Sequence, residues 1–116
     1  MATSPLSPAQ APAALIELSR EMRAAVIVDP AGQPLAAEGL AEGRAREFGA
    51  AAADLFTAVD RAWPSRPAGQ LEAQVEGAGI YAVRDARFTL AAVANRTALP
   101  SLAVMDLRHV LGRVEA

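Results

Sequence analysis

Between Gln70 and Ala94 the chain reverses direction twice, each time within two or three residues. Parallel neighbours need a crossover of a dozen residues or more, so these three strand patterns can only form an antiparallel meander. The first, Gln70–Glu76 (QLEAQVE), alternates strictly: Leu71, Ala73 and Val75 on one face, Gln70, Glu72, Gln74 and Glu76 on the other. That is the signature of a strand with one wet face. Gly77-Ala78-Gly79 turns into Ile80–Arg84, and Asp85-Ala86 turns into Arg87–Ala94.

The segments around the meander complete an α+β layout. Ala13–Met22 places Leu15, Leu18 and Met22 at helical intervals, with Pro12 suited to the first turn. Ala24–Asp29 (AAVIVD) reads as a buried strand, Asp29-Pro30-Ala31-Gly32 as a turn, and Pro34–Glu38 as a short returning edge strand. The longest helical pattern runs from Gly43 to Trp63, about 30 Å, with Ala45, Phe48, Ala52, Leu55, Val59 and Trp63 predicted on one apolar stripe. Gly49 costs this helix about 1 kcal/mol relative to alanine, which a second backbone at close range explains. Pro64-Ser65-Arg66-Pro67 stops the helix. Leu99–Val114 closes the chain as a helix with Ala103, Val104, Leu107, Val110, Leu111 and Val114 on its apolar face. Met1–Pro12 carries no charged side chain and is rich in Pro, Ala and Ser. It reads as a flexible leader, with residues 13–116 as a single domain. It has neither the basic start nor the apolar stretch of a secretory signal, so a cytoplasmic location is expected.

Composition removes whole classes of function. There is no cysteine and one histidine, His109, among 116 residues, so neither a thiolate site nor a multi-histidine metal centre fits one chain. Net charge is −2 and aromatic residues are 4%, a poor basis for a nucleic-acid groove. No apolar run approaches the roughly 18 residues of a membrane span. All basic residues are arginines; Arg84 and Arg87 beside the Asp85 turn, and Arg61 and Arg66 beside the proline loop, read as solvated. Glu17 and Glu21 stand one helical turn apart as surface carboxylates. The Gly77-Ala78-Gly79 segment lacks the following helix and third glycine of a dinucleotide loop, and is a hairpin turn. Ser101 precedes His109 by about 12 Å of helical rise, too far for a nucleophile and its base. Asp106 and His109 are surface neighbours on the same helix. No catalytic constellation and no cofactor site are expected.

One feature exceeds this background. The Leu71–Glu76 strand follows a long helix and opens the meander, which puts it at the sheet edge. With even alternation and no proline, lysine or bulge signal, it is poorly defended against pairing. The simplest resolution is a second copy paired across a twofold axis. Centring the pair on Ala73 sets Glu72 opposite Gln74 of the mate, whereas centring on Gln74 sets Glu72 against Glu76. Like charges directly opposed are unfavourable, which favours the Ala73 centre.

The order of these elements resembles the roadblock family of small domains. The likeness rests on Ala25–Pro34 (AVIVDPAGQP), the long helix with Phe48, Ala52 and Leu55, Gln74–Val93 (QVEGAGIYAVRDARFTLAAV) and Thr97-Ala98-Leu99 before the last helix. It departs where Leu99 is followed by Pro100 rather than glycine. The resemblance implies a five-stranded antiparallel sheet, with the long helix on one face and the two terminal helices on the other. It also implies a homodimer joined through the edge strand 70–76 and the helix 43–63. Leu71, Glu72, Ala73, Gln74 and Val75 are then interface candidates, with the Gly49, Ala53 and Phe56 flank of the helix; Ala51, Ala58 and Ala62 form the competing flank. The function implied is a non-catalytic regulator or scaffold of a small Ras-like GTPase. Two alternatives stand beside it: a purely structural subunit, and a ligand-sensing module of the PAS or profilin kind. The second would enclose a pocket between the small inner-face residues Ala73, Val75, Ala82, Leu90 and Ala92.

Overall fold

The computed structural model describes residues 4–115. Helix α1 (Ala11–Leu18) leads into β1 (Met22–Val28) and β2 (Pro34–Glu38). Helix α2 (Glu42–Ala62) crosses to β3 (Gln70–Val75), β4 (Ala78–Arg84) and β5 (Thr89–Asn95), and α3 (Pro100–Arg113) closes the fold. The five strands form one sheet in the order β2-β1-β5-β4-β3, with every pair antiparallel. Helix α2 covers one face and α1 with α3 the other, the expected α+β arrangement.

β1 is an interior strand covered on both faces, which is why its sequence is a nearly unbroken apolar run. Val26 and Val28 pack under α2, together with Ala82 and Ala91. Ala25 and Ile27 face α1 and α3, together with Leu90 and Ala92. The small residues read as one inner face do not share one: Ala82 lies in the α2-side core, Leu90 and Ala92 in the other, and Ala73 and Val75 are exposed. Asp29 shapes the β1–β2 turn: its Oδ1 accepts the N–H groups of Ala31 (2.9 Å) and Gln33 (3.0 Å), and Gly32 takes φ 86°.

Two sequence expectations are corrected in the first third of the chain. α1 ends at Leu18, because Met22 pairs with Ala94 as the first residue of β1. Burial in the sheet outweighs its helical spacing. Glu21 accordingly lies in the α1–β1 turn and not on a helix surface. The leader is also tied down from Leu6 onward: the Leu6 N–H donates to the Arg113 carbonyl, and the Glu115 N–H to the Leu6 carbonyl, both at 2.8 Å. A 3-10 turn at Pro8–Gln10 follows, and Ala11 and Pro12 are buried. Residues 1–3 of the expected leader lie outside the described residues.

The phase of α2 differs from the predicted stripe. Its buried residues are Ala45, Gly49, Ala52 and Phe56. A Cβ on Gly49 would stand 2.5 Å from Val28 Cγ1, so the glycine lets the helix settle directly onto β1. The close neighbour that Gly49 accommodates is the chain's own sheet. This turn of the helix moves Phe48 and Leu55 to the flank above β4 and β3, and Trp63, just past the helix end, is 65% exposed. Among the described residues, no helix is long and apolar enough to cross a membrane.

Candidate functional site

β3 is an edge strand, and among the described residues its only sheet partner is β4. The pairing runs from Gln70 opposite Val83 to Val75 opposite Ala78, so the hairpin turns on Glu76 and Gly77, and Ala78-Gly79 already belongs to β4. The Arg84 N–H donates to the Gly69 carbonyl at 3.1 Å. Counting from that bonded pair, Leu71, Ala73 and Val75 exchange their hydrogen bonds with β4. The backbone groups of Glu72 and Gln74 then point to the open side. Along the whole strand only Leu71 is half-buried; the rest is exposed.

Beside this edge lies an apolar cleft of about 110 Å³. Phe48, Ala51, Ala52 and Leu55 form its α2 wall, and Leu71, Ala73, Ile80 and Ala82 its floor. Leu55 and Val75 are each about half exposed, at 48% and 51%. Leu71 to Val75 thus form one continuous ribbon next to the cleft. Gly49 and Phe56 do not join it: both are buried under α2, Phe56 at 1% exposure, and neither can reach a second molecule. Ala53 is half-buried, with its Cβ beside Gly32 of the β1–β2 turn. The competing flank of Ala51, Ala58 and Ala62 is exposed.

A polar clamp, missed at the sequence level, fixes the connection between α2 and β3. Arg84 Nη2 donates to both carboxylate oxygens of Asp60, at 2.5 and 2.6 Å, while its Nε donates to the Ala68 carbonyl at 2.7 Å. Asp60 Oδ1 also accepts the Ala68 N–H at 3.2 Å. The guanidinium lies 4.6 Å from the centroid of Phe56, a cation–π distance. The bonds from Arg84, then the Ala68 N–H, hold the Asp60 carboxyl below its ordinary pKa against a smaller opposing effect of burial. At the next turn, burial raises Asp85, but the hydrogen bonds from Arg87 and from the Phe88 N–H outweigh it and leave the carboxyl lowered. Arg84 and Arg87 are thus structural cations rather than loosely solvated ones.

Ser101, Asp106 and His109 lie along α3 at exposed or half-exposed positions. Among the described residues no three His, Cys, Asp or Glu side chains gather where they could hold a metal ion. Every buried side-chain nitrogen and oxygen there has a hydrogen-bond partner.

The Roadblock/LC7 domain family matches residues 13–95. No curated protein matches the chain by sequence. Among solved structures, a Roadblock/LC7 domain from Streptomyces avermitilis superposes with TM-score 0.81 at 14% identity, covering 92% of this chain and 93% of that one. The gliding protein MglB of Thermus thermophilus gives 0.72 at 17% identity, over 94% and 92%. A Schizosaccharomyces pombe profilin gives 0.67 at 16% identity, over 91% and 98%, which reflects the same sheet-and-helix layering. From the first helix to the end of the fifth strand the match is continuous, and the chain belongs to the Roadblock/LC7 family.

Proposed function

We propose that this chain is a non-catalytic, homodimeric regulator or scaffold whose partner is a small Ras-like GTPase. The observation that carries the reading is the open β3 edge, with the outward backbone groups of Glu72 and Gln74 beside the apolar cleft between α2 and β3. Two copies pairing along β3 extend the sheet across a twofold axis and place both α2 helices on one face of it. Leu55 and the Ala51, Ala58 and Ala62 flank then meet their counterparts, which covers apolar surface that a single copy leaves wet. Membership of the family and the likeness to a gliding protein support a regulatory role at the composite α2 surface. Such a surface acts by binding one nucleotide state of the GTPase more tightly than the other, which shifts its population.

Proline scanning of the edge tests the dimer. Glu72→Pro removes an outward N–H and leaves the β4 ladder intact, so the fold survives and the protein sediments as a monomer. Ala73→Pro removes an inward N–H and destabilises the fold itself. A wild-type monomer at micromolar concentration, or a Glu72→Pro protein that remains dimeric, rejects the interface. Nucleotide exchange and hydrolysis by a cognate Ras-like GTPase, measured with wild type and with Glu72→Pro, test the regulatory step. No effect of wild type on either rate, with binding retained, leaves a scaffold.

A further inference from the structure

A second surface lies in the opposite layer, on the α1 and α3 side, and no residue of β3 lines it. A groove of about 280 Å³ opens between the α1–β1 turn and the first two turns of α3. Its walls are preorganised by Glu21. The Glu21 carbonyl accepts the Asn95 N–H at 2.8 Å, and its carboxylate accepts the Thr97 hydroxyl at 2.9 Å. The two turns are thereby tied together. The apolar wall comes from Leu99 and Leu102, with Met105 one turn further along; they are 61%, 48% and 57% exposed. α3 already buries Ala103, Leu107, Val110 and Leu111 against the sheet. Its first half is therefore apolar on a second side that none of the described residues covers, and a helix apolar on two sides is normally packed on both.

The charge in this groove is of one sign. Glu21 and Asp106 are the charged side chains in the lining. Neither belongs to the three ion pairs among the described residues, which are Glu42–Arg46, Asp60–Arg84 and Asp85–Arg87. Arg20 and Arg96 sit on the two turns but outside the lining. Two carboxylates without a cationic partner, bordering exposed leucines, complement a cation carried next to an aliphatic side chain, and they repel an anionic lipid surface. We propose that this groove docks a basic, apolar peptide segment of another protein. An aliphatic side chain packs on Leu99 and Leu102 while an arginine or lysine reaches between Glu21 and Asp106. Its lining contains no residue of β3 or α2.

Selection of a random 12-residue phage-displayed peptide library on the full chain tests this. The expected result is enrichment of sequences with Arg or Lys within one helical turn of Leu, Ile or Phe. A synthetic peptide of the enriched sequence should bind at least tenfold more weakly to Leu102→Ser, and several-fold more weakly to Asp106→Asn, with affinity falling as salt rises. Both positions are surface-accessible, and circular dichroism verifies that the variants fold. An enriched sequence without a basic residue overturns the assignment, as does no enrichment over a blank surface or undiminished binding to both variants. Self-association abolished by Leu102→Ser overturns it too, by seating a second copy of the chain in the groove.

Discussion

Arg84 on β4 and Asp60 on α2, 24 residues apart in sequence, meet through one guanidinium nitrogen that donates to both carboxylate oxygens. The pair joins the last turn of α2 to the strand that pairs with β3, and the accompanying bonds to Ala68 fix the connector between them. Because the folded carboxyl sits below its unfolded value near 3.9, the clamp stabilises the fold fully above that pH. Its contribution is lost as pH falls through the depressed folded value. Asp60→Asn is expected to lower the urea midpoint at neutral pH and to leave a shallower acid limb. Denaturation followed by circular dichroism from about pH 6 down to about pH 2 reads both effects. Parallel acid limbs for variant and wild type would count against the clamp as a source of pH dependence.

Gly49 sets how closely α2 approaches the sheet. Gly49→Val gains a little helix propensity but drives a branched side chain into Val28, 2.5 Å from the ideal Cβ position. Overpacking of this kind costs about 1–3 kcal/mol, and guanidinium denaturation should show a loss in that range. Adding Val28→Ala makes room, so the double variant should be less destabilised than the sum of the two single ones. Strict additivity would mean that the helix shifts away instead.

Phe56 supports both the core under α2 and the stack beneath Arg84. Phe56→Ala should cost about 3–5 kcal/mol, the range for a buried aromatic truncated to alanine. It should also couple to Asp60→Asn, since both changes act on the same guanidinium. Amide hydrogen exchange in the connector 63–69 should quicken in either variant, while that of β1 should quicken only as far as global stability falls. Unchanged exchange at Ala68 and Gly69 would show that the connector is held by something else.

The sheet edge is legible in the sequence because β3 alternates cleanly, and its position after a long helix leaves few places for it. The fold follows from element order, which turns and prolines mark strongly. The phase of α2 is not legible. Alanines occupy both sides of this helix, so the bulkier Phe48, Leu55 and Trp63 dominate a hydrophobicity pattern, whereas packing selects the side that Gly49 allows to come close. Hydropathy alone therefore leaves Gly49 and Phe56 off the core stripe, and the family resemblance then sets them on an interface flank, whereas both line the interior. The clamp is hidden for another reason: sequence offers Arg84 its neighbour Asp85, but Asp85 is taken by Arg87 and by the backbone of its own turn. The partner that Arg84 finds exists only after α2 has docked.

The register of the proposed dimer can be read from a single charge. Glu72 and Gln74 have their backbone groups on the open side, so twofold pairings centred on Ala73 and on Gln74 are both geometrically allowed. With the Ala73 centre, Gln74→Arg places an arginine opposite Glu72 of the mate, twice by symmetry. Each opposed pair contributes about 0.2–1 kcal/mol, so the dimer should tighten by roughly twofold to thirtyfold. With the Gln74 centre the same change sets arginine against arginine and weakens the dimer. Gln74 also donates to the Tyr81 hydroxyl at 3.3 Å, so the melting temperature of the Glu72→Pro monomer, with and without Gln74→Arg, separates any loss of fold stability from the effect on association. Sedimentation equilibrium at low salt, where the cross-strand charges are least screened, then decides. A tighter dimer assigns the Ala73 centre, a weaker one the Gln74 centre, and an unchanged constant places the contact somewhere other than β3.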